Sequence, residues 1–283
     1  MDGTPVSGPS SPVSRRPPLP VRSTVVTAAA LLLWWLMLSV SGLLPGPLGR
    51  AATAAALCVL AVALVWAARR FLDRQPWHGP ALTGPRAGWR PFLVGVASWA
   101  LPGCAGMALC VVLGWSFVVR TAPWGELVPG LVFLALVVLL AEALPEELIF
   151  RGYLFRNLNA ALPAWAAVAA QAALFVLFGT ALWVSTEGWG VLAERLPLFL
   201  GLGVVLGCIR VVTGSVWACV GFHLVFQTVA QGVLGGDYVQ VRGVDTLTSV
   251  GLAAPFLLGV STAMLLVGKP GRWGARVPDD PRA

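Results

Sequence analysis

Eight stretches of this chain, 23–45, 51–68, 91–119, 127–158, 163–184, 196–212, 215–233 and 249–267, are apolar over about the 20 residues that a helix needs to cross the hydrocarbon core of a bilayer. Hydrocarbon offers no water to the backbone, so a spanning segment must satisfy its own N–H and C=O groups, which a helix does. Composition argues the same way. Apolar residues make up 58% and charged residues 11%, where a soluble domain carries about a quarter charged. Thirteen Trp against two Tyr suit a chain with several membrane interfaces. The fold class expected is therefore all-α: a polytopic membrane protein of about eight transmembrane helices. The first apolar run is too long for the core of a signal peptide and is followed by more spans, so it is read as a helix that stays in the membrane.

The basic residues orient the chain. With the N-terminus inside, fifteen of the nineteen Lys and Arg fall on the cytoplasmic side, which is the bias that sets topology. Both termini are expected in the cytoplasm, and the protein is placed in the cytoplasmic membrane. Because these residues occur in short clusters between spans, the net charge of +7 writes topology rather than a nucleic-acid surface. The five cysteines all lie in apolar stretches without metal or redox spacing, and are read as packing residues. Residues 1–22, rich in Pro, Ser and Arg, are expected to form a disordered cytoplasmic tail. Residues 23–126 form the N-terminal helices, 127–233 a core, and 234–283 the last helix and a cytoplasmic tail. The long fourth span is expected to tilt, or to break near Pro145.

Ionisable residues are costly in hydrocarbon, roughly 2.5–3.5 kcal/mol each on lenient scales, and those inside the spans converge on two places. The first holds Glu142, Glu146, Glu147 and Arg151. Glu147 and Arg151 stand four apart with the acid first, the favoured order for an ion pair. Glu142 and Glu146 lie on a face turned about 100° from that pair. Arg151 then neutralises Glu147 and leaves Glu146 facing a cavity, where a carboxylate serves as a general base. The alternative is that these charges only lock neighbouring helices together. Three acids for one base within ten residues are more than a lock requires.

The second place holds His223 and Gln227, four apart and so on one helical face. His223 lies about eight residues past the turn Thr213-Gly214-Ser215, and Glu146 about a dozen before the end of its own span. At 1.5 Å per residue both sit roughly 12–18 Å from the same surface. A water between them is a candidate for activation by Glu146 and anchoring by His223; the alternative for His223 is a hydrogen-bonded packing residue. His78 is read as a solvated loop residue.

These residues resemble the CAAX-protease and bacteriocin-processing family of intramembrane proteases, which includes type II prenyl-protein endopeptidases. Glu146-Glu147-Leu148-Ile149-Phe150-Arg151 matches that family's first motif in full, with Gly152 after it. The stretch from Leu202 to Gln227, through Thr213-Gly214-Ser215 and Trp217, is similar to the approach to its last motif, and His223 falls on that motif's histidine. The resemblance covers roughly 127–233. In the middle motif Phe175 is in place, but Gly179 stands where the family has histidine. Gln227 replaces an Asn.

The resemblance implies that Glu146 activates the attacking water. It gives His223 and Gln227 the oxyanion and makes Glu147 and Arg151 supporting residues. Gly179 leaves room for a second water or for Gln171. Zinc is implied only by the resemblance, with Glu146, Glu147 and His223 as the available donors; one intramembrane histidine falls short of a usual zinc set, so the reading is a glutamate-activated water without metal. The expected substrate is a membrane-embedded or lipid-modified peptide or protein, met in a cavity open to the cytoplasm. Two other readings stand beside this endopeptidase. One is a proteolytically impaired relative that binds a membrane peptide or protein. The other is a transporter with an acidic proton relay, weakened by the lack of any repeat or paired broken helices.

Overall fold

The computed structural model describes residues 16–77, 79 and 82–278, and the chain is 80% helical. Eight helices are long and apolar enough to span a membrane: α1 (Leu19–Ser41), α2 (Gly46–Asp73), α3 (Pro85–Val112), α4 (Trp124–Ala161), α5 (Ala164–Glu187), α6 (Trp189–Thr213), α7 (Val216–Leu234) and α8 (Val244–Val267). Each coincides with one of the expected spans. Their outer faces expose Leu32, Leu136, Leu177, Leu257 and Leu265, surface that suits lipid and not water. The chain is an integral multi-pass membrane protein.

Local chemistry sets the helix ends. Pro18, Pro45, Pro123 and Pro163 stand at the N-caps of α1, α2, α4 and α5, where a missing N–H forfeits no helical bond. Gly214 closes α6 with a φ of 69°, a left-handed conformation open to glycine. Ser215 then caps α7, its hydroxyl accepting from the Trp217 amide at 3.2 Å. This tight turn lays α6 and α7 side by side.

The core gathers around Trp99, Phe150, Tyr153, Phe175 and Phe222, all fully buried. The α3–α7 seam is the tightest. A Cβ on Gly95 would stand 1.8 Å from the Ala218 carbonyl oxygen, and one on Gly221 would stand 2.2 Å from that of Phe92. Only glycine permits this approach, the small-residue packing typical of membrane helices.

Three features depart from expectation. Helix α1 begins at Leu19, so the last residues of the expected tail are helical; residues 1–15 lie outside the described residues. The third span ends at Val112 instead of 119. Beyond it β1 (Phe117–Arg120) pairs antiparallel with β2 (Val239–Arg242), because the β-branched run after Gly114 finds a matching run beyond α7. Nor does α4 break at Pro145. The helix widens to π turns at Leu139–Ala143 and Leu148–Leu154, with one α turn, Leu144–Glu147, between them. Proline removes one rung of the ladder, and the wide turns absorb the mismatch without ending the helix.

A polar knot ties the opposite end of α4 to α1 and α2. Asp73 is fully buried. It accepts from Arg22 at 2.5 Å and Arg69 at 2.9 Å, and from Tyr153 and Asn157 at 3.0 Å each. With four donors on one carboxylate, the burial cost is met by hydrogen bonds. The knot holds α4 two residues beyond Arg151.

Candidate active site

The acidic segment of α4 and one face of α7 meet inside the bundle. Glu147 lies in the α turn between the two wide turns and is fully buried. Its Oε1 accepts from Arg151 Nη1 at 2.9 Å, closing the four-residue ion pair. The same oxygen lies 2.9 Å from Nδ1 of His223 on α7. A carboxylate already facing a guanidinium is an acceptor, so Nδ1 carries the donated proton. Glu147 Oε2 is buried and takes no hydrogen bond among the described residues.

Arg151 is itself held from behind. Its Nη2 reaches the carbonyls of Leu202 and Gly203 on α6 at 3.3 and 3.4 Å, and its guanidinium lies 4.4 Å from the centre of the Phe175 ring. Gln171 of α5 donates to the same Gly203 carbonyl at 2.7 Å. Arg210 Nε in turn donates to the Arg151 carbonyl at 3.2 Å. Four helices thus converge on one ion pair.

Glu146 and Glu142 differ from Glu147 and from each other. One residue earlier on the helix, Glu146 points about 100° away from Glu147. It is half-buried and makes no hydrogen bond or ion pair among the described residues. The charges that act on it most are those of His223, Glu142, Glu147 and Arg151. Glu142 turns to α7, accepting from Gln227 Nε2 at 2.6 Å and from Gln231 Nε2 at 2.9 Å.

The structure therefore brings Glu142, Glu146, Glu147, Arg151, His223 and Gln227 together, but pairs them differently from the expected division. His223 is bonded to Glu147, the supporting acid, rather than standing free opposite Glu146. Gln227 spends one amide hydrogen on Glu142. Gln231 completes the α7 face at i, i+4 and i+8 from His223 and was missed; its signal was that same spacing. Asp73 was missed because it sits where the expected second span had already given way to loop. His78 lies outside the described residues.

The second-motif position carries no imidazole and no room for one. A Cβ on Gly179 would stand 2.6 Å from two carbons of the Phe199 ring. That ring packs edge-to-face on Phe175 with centroids 5.7 Å apart. Gln171 does not fill the gap either, since its amide is bound to Gly203 and Val168.

Zinc fits this donor set poorly. Among the described residues no group of three His, Cys, Asp or Glu side chains gathers closely enough to hold a metal ion. One Glu147 oxygen and the His223 Nδ1 are already committed to each other.

A family model described as type II CAAX prenyl endopeptidase Rce1-like matches residues 128–229, from the fourth span into α7 just past Gln227. No curated protein and no solved structure matches the chain. The match and the eight apolar helices together support an intramembrane protease family.

Proposed function

We propose that this chain is an intramembrane endopeptidase in which Glu146 activates a water and His223 stabilises the oxyanion. The observation that carries the reading is the contrast between adjacent carboxylates. Glu147 is locked by Arg151 and His223 at 2.9 Å each, while Glu146, in the electrostatic field of the same histidine, takes no hydrogen bond. A carboxylate without a partner can accept a proton from water.

The chemistry follows from those roles. Glu146 takes a proton from water as the water oxygen adds to the scissile carbonyl carbon. A His223 ring protonated on both nitrogens gives Nδ1–H to Glu147 and keeps Nε2–H for the developing oxyanion. The second Nε2 hydrogen of Gln227 is a further donor. Glu146 then passes its proton to the amine nitrogen as the C–N bond breaks, leaving a carboxylic acid and an amine. The substrate is a membrane-embedded or lipid-modified peptide, and the bias of the basic residues supports a cytoplasmic side for both termini and for the mouth of the site in the cell membrane.

A second reading, a proteolytically impaired relative that binds a membrane peptide, is favoured by one observation. The Phe199 ring crowds the space beside Gly179, so an apolar wall stands where a second water-handling group is missing.

The deciding experiment presents purified full-length protein in nanodiscs with a library of lipid-modified and transmembrane peptides. Cleavage that disappears in Glu146→Gln and falls about a hundredfold in His223→Ala supports the peptidase. Cleavage indifferent to both substitutions sinks it. Tight binding without cleavage favours the second reading.

A further inference from the structure

Past α8 the chain stays on the molecule. Gly268 closes the helix with a φ of 69°, Pro270 prevents its continuation, and residues 271–278 run as a strap along the corner where α4 ends and α5 begins. The amides of Ala164 and Trp165, in the first turn of α5, donate to the carbonyls of Ala275 at 3.0 Å and Trp273 at 3.1 Å. Asn159 of α4 grips the strap twice. Its Nδ2 donates to the Ala275 carbonyl at 3.0 Å, and its own carbonyl accepts from the Val277 amide at 3.1 Å. Arg156 donates to the carbonyls of Val277 and Pro278. The strap thereby meets the first N–H groups of α5, which Pro163 at the N-cap leaves without a side-chain partner.

All of these bonds use the strap's main chain, and Trp273 adds an indole packed against the apolar core. Exposure alternates from Gly271 to Arg276, with Arg272, Gly274 and Arg276 turned outward. The side chains of Arg272 and Arg276, and of Lys269 just before them, are exposed and take no hydrogen bond or ion pair among the described residues. Docking on the protein uses none of these three charges. Depth identifies what they face. The end of α4, the start of α5 and the end of α8 share the side that the basic residues mark as cytoplasmic. Trp165, whose amide holds the strap, is 62% exposed in the first turn of α5. An exposed indole at the end of a spanning helix belongs at headgroup level, so the strap beside it lies at the height of the lipid phosphates.

We infer that the outer face of this strap, carrying Lys269, Arg272 and Arg276, is an interaction surface for the anionic phospholipid headgroups of the leaflet on which it lies. Main-chain bonds hold the strap to the protein, and its cations hold it to the membrane. Asp279 and Asp280 come next in the sequence and lie outside the described residues. Arg156 and Asn159 stand five and eight residues past Arg151 on α4. The charge of the membrane surface is thus coupled to the helix that carries the acidic site.

The test is hydrogen exchange, read by mass spectrometry, on full-length protein in nanodiscs of phosphatidylcholine alone and of an equal mixture with phosphatidylglycerol. The amides of 271–278 report opening of the strap, since the Val277 amide is bonded to Asn159. Each cation near an anionic surface contributes about fivefold, so the three together should slow exchange of the strap about a hundredfold in the anionic nanodiscs. Salt high enough to screen the surface should remove most of that gain. Lys269→Gln, Arg272→Gln and Arg276→Gln, combined in one chain, should leave exchange in phosphatidylcholine unchanged and abolish the slowing by phosphatidylglycerol. Equal exchange of the native strap in the two lipids overturns the inference. So does a slowing that survives the triple substitution, because the lipid then acts through other cations. No arm of the test requires cleavage, so the strap and the peptidase reading stand or fall separately.

Discussion

His223 on α7 and Glu147 on α4 meet with 2.9 Å between Nδ1 and Oε1, seventy-six residues apart in sequence and sharing that oxygen with Arg151. The bond joins the two helices that carry Glu142, Glu146, Gln227 and Gln231, so its loss tests both architecture and chemistry.

Glu147→Leu leaves Arg151 and His223 buried without their shared acceptor. A broken buried ion pair costs about 3–5 kcal/mol, and thermal unfolding in detergent should show a loss of that size. Replacing Glu147 and Arg151 together by Leu should recover part of it, because no unpaired guanidinium remains and only His223 is left without its acceptor. A double variant as unstable as the single one contradicts the ion-pair account.

Glu146→Gln should behave in the opposite way. The carboxylate has no hydrogen-bond partner to lose, so the melting temperature should move by no more than a surface change does, within about 0.5 kcal/mol. Peptide cleavage should fall about a hundredfold or more. A large stability loss would make Glu146 a structural residue.

Gly179→His, made alone, drives its side chain into the Phe199 ring. Overpacking of this kind costs about 1–3 kcal/mol, and neither stability nor cleavage should improve. The double variant Gly179→His with Phe199→Ala opens the space. It should recover stability relative to the single substitution and raise cleavage above that of the native chain. Cleavage that rises equally in both variants argues against Phe199 as the obstruction.

Glu142, Gln227 and Gln231 form one hydrogen-bonded unit, so their substitutions should not add. A double-mutant cycle between Glu142→Gln and Gln231→Leu should give a coupling of about 0.5–3 kcal/mol. Additive effects would mean that the α7 glutamines act separately.

Asp73→Ala removes the acceptor shared by Arg22, Arg69, Tyr153 and Asn157. A loss of about 3–5 kcal/mol is expected. Protease cleavage between α1 and α2 should accelerate as α1 loosens.

The eight spans were legible because apolar length in hydrocarbon leaves helix as the one economical solution, and the acids stood out because few side chains are so costly there. The Glu147–Arg151 pair was readable from its four-residue spacing alone. What spacing could not give was the partner across the bundle. Glu146 and Glu147 are adjacent in sequence, and only the wide turns around Pro145 decide which of them faces α7.

The same division holds for the whole chain. Sequence determined what is local or imposed by solvent: helix number, the polar faces of α4 and α7, and the turn at Gly214. Tertiary structure decided what depends on which surfaces meet. It paired His223 with Glu147, turned Gln227 and Gln231 to Glu142, buried Asp73 among four donors and set Phe199 against Gly179. Backbone hydrogen bonding repeats along one segment and leaves a periodic trace, whereas a contact across 76 residues depends on packing that no single segment encodes.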